Sequence, residues 1–219
     1  GDSFGPMGII RIDNSSVLNS SGSALTGDGH GGTVSIRGGQ LVLDRGSILS
    51  NTLANTDGTE TAVDIKITDT IHLDNASSIS ATASGTGHGG NLLIQSQALT
   101  VLNGSGLVTF SSGEAASGNI SIKTTNSVHI SGQDPETGTR SSVETVTTTP
   151  KLGGDVLVES RHLRVGTAGK ISTTAVVGTG RAGNLHLKIG ETLNVVEGGV
   201  IFSNGSNGSG TITINSGET

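Results

Sequence analysis

Short runs in which apolar and polar residues alternate recur along the whole 219-residue chain. The phrase small or polar–apolar–any–apolar reads TVSI at 33, DIKI at 64, NLLI at 91, NISI at 119, DVLV at 155, NLHL at 184 and TITI at 211. Successive copies lie 31, 27, 28, 36, 29 and 27 residues apart. A second apolar pair follows each of the first six copies: Leu41/Leu43, Ile71/Leu73, Leu99/Val101, Val128/Ile130, Leu163/Val165 and Leu193/Val195. A third apolar position comes next, at Ile48, Ile79, Leu107, Val143, Ile171 and Val200. Period two puts successive side chains on opposite faces of a strand, and helical spacing is sustained nowhere. Each unit therefore predicts three short strands separated by turns rich in Gly, Asn, Asp and Ser.

A propeller blade needs four strands and ~40 residues, usually with an aromatic signature that is missing here. A sandwich would not repeat its turn chemistry. Three strands in about 28 residues fit one coil of a parallel β-helix, each strand pairing with its counterpart one coil away. The predicted fold is all-β, a single solenoid over residues 9–219 with six to seven coils, preceded by a lead-in or vector-derived remnant at 1–8. Two longer connections, 50–62 and 131–142, interrupt the repeat. At the usual strand spacing such a rod is roughly 30 Å long.

Stacked coils set like residues over like. The residue that opens each first strand reads Thr33, Asp64, Asn91, Asn119, Asp155, Asn184 and Thr211. These side chains are expected to form a ladder of hydrogen bonds along the axis, as stacked Asn side chains do in other in-register sheets. Leu92, Ile120 and Val156 should share one aliphatic stack.

Composition narrows the function classes. The chain has 36 Gly, three Pro, three Phe and no Tyr, Trp or Cys, so neither disulfides nor thiolate metal sites are available. The net charge of −6 is scattered, no basic stripe with interleaved aromatics is evident, and nucleic acid is not expected as a partner. No apolar run approaches membrane-spanning length.

The register GxGxGGNLxI…LxVxxGxxI is carried by Gly87–Ile94 with Leu99–Leu107, Gly118–Ile122 with Val128–Ile130, and Gly180–Leu187 with Leu193–Val200. Over roughly residues 9–215 it resembles the repeat region of filamentous haemagglutinin-like proteins, the large exoproteins of two-partner secretion. The resemblance implies a right-handed parallel β-helix, export through an outer-membrane β-barrel transporter, and adhesion or display at a bacterial cell surface. The partners it implies are that transporter during export and a receptor or glycan on a host or neighbouring cell. The family's N-terminal secretion signature is not found in residues 1–30, so the chain reads as shaft and not as secretion domain.

Candidate chemistry is sparse. Asp13, Asp44 and Asp74 follow equivalent strands on three successive coils and read chiefly as Asx turns, with a weak calcium site or catalysis as alternatives. His30 and His88 share a corner two coils apart, and His72 and His129 share an outward column with Thr100 between them, too far apart for one metal. No cofactor, metal or enzymatic activity is expected. The 131–142 loop exposes Asp134, Glu136 and Arg140 as a candidate partner-binding surface. The leading expectation is a structural and adhesive shaft. The alternatives are a filament subunit whose ends pair between copies, and a carbohydrate-active β-helix enzyme.

Overall fold

The computed structural model describes residues 7–22, 31–53, 59–112, 114, 116–176, 178 and 180–217. They form a parallel β-solenoid of about seven coils, about 29 residues and three strand segments per coil, with no helix among the described residues. The first coil contributes β1 (Ile9–Asp13) and β2 (Val17–Asn19). The second holds β3 (Val34–Gly38), β4 (Gln40–Asp44) and β5 (Ser47–Leu49), and the third β6 (Thr61–Ile67), β7 (Thr70–Asp74) and β8 (Ser78–Ala83). From the fourth coil on, the first two segments run together as one long strand. These coils hold β9 (Asn91–Leu102) and β10 (Gly106–Ser111), β11 (Ile120–Ser131) and β12 (Ser142–Thr147), and β13 (Val156–Val165) and β14 (Lys170–Ala175). The last full coil holds β15 (Leu185–Val195) and β16 (Val200–Gly205), and β17 (Ile212–Ser216) lies above β15.

All strand pairings are parallel, in one ten-stranded sheet that carries the first and second segments and one seven-stranded sheet that carries the third. Leu92, Ile120, Val156 and Leu185 stand in register as one stack, with Ile94, Ile122, Val158 and Leu187 two positions on. All eight are at most 1% exposed. The seven-stranded sheet adds Ile48, Ile79, Leu107, Val143 and Ile171, all fully buried. Burying each such side chain stabilises by roughly 1.5–3 kcal/mol. Among the described residues the core holds no aromatic side chain and is assembled from many aliphatic stacks.

The long strands bend where their first and second segments meet. Register shifts fall between Thr124 and Ser127 of β11 and between Ser160 and His162 of β13. An extra residue on one strand kinks it and lets the sheet turn. The inner side of this corner is polar: the Thr124 hydroxyl donates to Ser160 Oγ at 2.8 Å, and the Ser160 hydroxyl donates to the His162 carbonyl at 2.8 Å.

Two sequence assignments shift. In the third segment Ile171 pairs with Ile201, not with Val200, which pairs with Lys170. A one-residue slip exchanges faces, so Ile201 packs against the core and Val200 faces outward. In the first segment Val34, Val63 and Leu92 are in register, so Asp64 stands beside Ser35 and Leu93 on the outer face. Thr61 takes the place opposite Asn91, and Ala62 is the extra residue of a bulge. The slip of the DIKI phrase by two residues leaves the alternation intact, which is why the pattern alone does not reveal it.

Candidate ligand groove

From the fourth coil on, each corner places a glycine immediately before the ladder position: Gly90, Gly118, Gly154, Gly183 and Gly210. A Cβ on Gly118 would overlap the Gly90 carbonyl oxygen, and one on Gly154, Gly183 or Gly210 would overlap the carbonyl of the glycine one coil below. The backbones pass too closely here for any side chain, so this column demands glycine for contact and not for its φ.

Behind the glycines lies a buried column from the seven-stranded sheet. The Thr109, Thr145 and Thr173 hydroxyls donate to the carbonyls of Gly118, Gly154 and Gly183, each at 2.6 Å. Ser203 Oγ reaches the Gly183 carbonyl at 3.1 Å. All three threonines are fully buried, where an unmet hydroxyl or carbonyl would be costly. The threonines therefore lock the third strand of each coil to the glycine corner.

In front of the glycines stands the ladder. Asn91 Oδ1 accepts the Asn119 N–H at 2.8 Å, and Asn119 Oδ1 accepts the Asp155 N–H at 2.7 Å. Asp155 Oδ1 accepts the Asn184 N–H at 2.6 Å, and Asn184 Oδ1 accepts the Thr211 N–H at 2.9 Å. The links run from side chain to backbone, with one amide-to-carboxylate bond added, Asn184 Nδ2 to Asp155 Oδ1 at 3.2 Å. Thr33 joins differently, its hydroxyl donating to the Thr61 carbonyl at 2.6 Å. Asp64 is outside the ladder and pairs with Arg37 on the outer face.

Between the ladder and the loops that precede the glycines runs a groove of about 760 Å³. Its far wall carries His88, Leu152 and Arg181, and Glu60 sits at one end. Leu152 and Arg181 form a parallel bridge, which aligns their loops along the axis. The sequence pattern places His88 at a corner but does not reveal the trench beside it. The signal was the recurrence of a loop before every glycine, visible once the glycines are stacked.

The other candidates resolve as follows. Asp13, Asp44 and Asp74 are in register. Two of the carboxylates accept an amide from the following coil: Asn75 Nδ2 donates to Asp44 Oδ1 at 2.9 Å, and Asn103 Nδ2 to Asp74 Oδ1 at 2.8 Å. Among the described residues no group of three or more His, Asp or Glu is arranged to hold a metal ion. His72, Thr100 and His129 share one column, and His129 is held below the usual histidine range by burial and by Arg164. His30 lies outside the described residues, as do positions 54–58 of the 50–62 connection.

The 131–142 loop is a small hairpin closed by the antiparallel bridge Gln133–Arg140. Asp134 Oδ1 accepts the Glu136 and Thr137 N–H groups at 2.8 and 2.7 Å. The Thr137 bond in particular holds its carboxyl below the ordinary aspartate range. Arg140 donates to the Gly198 carbonyl at 3.1 Å. Asp134 and Arg140 thus fasten the hairpin down, and Glu136 is exposed.

Stacking also brings together cations that are scattered in sequence. Arg37, Lys66, Gln95, Lys123, Glu159, Lys188 and Asn215 form one outward column. Glu159 lies between Lys123 at 3.0 Å and Lys188 at 2.8 Å. No protein-family model, no curated protein and no solved structure gives a significant match to this chain.

Proposed function

We propose that this chain is a structural and adhesive shaft segment of a secreted, cell-surface protein of the filamentous haemagglutinin-like kind. One observation carries the reading. The glycine and amide columns recur from the fourth coil to the last, the amides tying each coil to the next, and in three successive coils a buried threonine ties the third strand to the corner that follows it. Repetition of this sort makes a stiff object whose contacts are all between neighbours. Its loops, including the 131–142 hairpin, stand out from that support, where variable recognition is tolerated. The resemblance of the repeat to haemagglutinin-like exoproteins supplies the setting of export and adhesion.

The test is direct. Antibody raised against the purified segment should label intact cells of the source organism, and protease added outside should remove the label. Beads coated with the segment should adhere to neighbouring cells more than beads coated with a helical protein of equal charge. Labelling that requires lysis, or coated beads that adhere no better than controls, sinks the proposal.

A further inference from the structure

The two walls of the corner groove differ in chemistry. Along one stand Asn91, Asn119, Asp155 and Thr211, repeating at the rung spacing of ~4.8 Å or its multiples. The amide planes of Asn91 and Asn119 are oriented by the backbone N–H that each Oδ1 accepts. Their Nδ2 groups have no partner among the described residues and lie at the groove edge. Asp155 uses Oδ1 in the ladder and keeps its second oxygen for other donors. The facing wall presents Leu152, 61% exposed, with Arg181 bridged to it on the next coil.

We propose that this groove binds a stretch of neutral, linear polysaccharide lying along the rod axis. Amide donors and a carboxylate acceptor in one row suit a ligand whose hydroxyls both donate and accept. The step fits as well. A sugar ring in an extended glycan advances by about one rung, whereas an extended peptide advances ~3.3 Å per residue and falls out of phase. Charge selects further: Asp155 and Glu60 oppose a polyanion and Arg181 opposes a polycation. Leu152 supplies the apolar surface for a ring's C–H face, a part more often taken by an aromatic side chain. From Asn91 to Thr211 the groove covers four rung steps, ~19 Å, enough for about four rings. Its volume falls in the range of ordinary small-molecule sites. Single-site binding of this kind is weak, and repetition along a shaft would multiply it.

The inference deepens the adhesive reading by naming the ligand class, and it can fail separately. Fluorescein-labelled hexasaccharides with neutral gluco-, manno-, galacto- and xylo-backbones are titrated into the purified chain and followed by anisotropy. A labelled oligogalacturonate and an extended Ser/Thr-rich peptide serve as the anionic and peptide probes. At least one neutral glycan should bind saturably. Leu152→Ser, at an exposed position, should weaken it at least fivefold without moving the thermal midpoint. Asn91→Asp, which removes the amide donor but keeps the acceptor used by the ladder, should do the same. Silence from all the neutral glycans, tighter binding of the oligogalacturonate or peptide, or neutral binding untouched by either variant overturns the inference. Surface labelling of cells with a groove that binds no glycan would remove this inference and leave the shaft. Glycan binding by a protein found only inside cells would do the opposite.

Discussion

At the scale of single residues, the corner shows three side-chain choices with three separate reasons. Glycine is required where neighbouring backbones touch, threonine where a buried carbonyl needs a donor, and Asn or Asp where a backbone N–H needs an acceptor. Gly154→Ala places a methyl group against the Gly118 carbonyl. Relieving such an overlap costs about 1–3 kcal/mol or more, and the denaturant midpoint followed by circular dichroism should fall accordingly. Thr145→Val keeps shape but leaves the buried Gly154 carbonyl without its 2.6 Å donor. That change should cost roughly 1–3 kcal/mol, read from the same unfolding curve. The Thr column was open to sequence reading, since Thr109, Thr145 and Thr173 each sit two positions after the inward aliphatic of the third strand. Pattern alone does not mark it, because threonine at an inward strand position looks like a solvent residue until its partner is known.

At the scale of strands, period two made the three segments of each coil and their buried faces legible without coordinates. What it could not provide was register at places where the chain inserts or drops a residue. The Thr61–Ala62 bulge moved Asp64 off the ladder. Val200 is a different case: the turn from Val195 to Ile201 has the length of the turn from Val165 to Ile171, and two adjacent apolar residues, Val200 and Ile201, leave the pattern readable in either phase. The ion-paired column was hidden for a different reason, because its members are a whole coil apart in sequence. Lys188 first and Lys123 second hold the Glu159 carboxyl below the usual glutamate range. A carboxyl whose pKa is lower folded than unfolded adds stability above its unfolded value, ~4.3. That contribution disappears as pH falls through the folded value. Glu159→Gln should therefore lower the urea midpoint at pH 7 and leave it unchanged at pH 2, giving a shallower acid decline than the parent.

At the scale of the molecule, a coil is the unit of both construction and stability. Deleting residues 119–154, the 36 residues between equivalent ladder positions, leaves Gly118 joined to Asp155 and lets Asn91 face Asp155. The shortened chain should keep its β-sheet circular dichroism and lose ~4.8 Å of rod length, measured by small-angle X-ray scattering. Loss of the sheet signal would show that the coils are not interchangeable. The ladder carries one more consequence. From Asn91 to Asn184, each ladder residue uses its Oδ1 toward the coil that follows it in the chain and none toward the coil before. The column therefore has a polarity. Two such segments can be spliced only with the trailing face of one on the leading face of the next, because a reversed joint brings acceptor against acceptor.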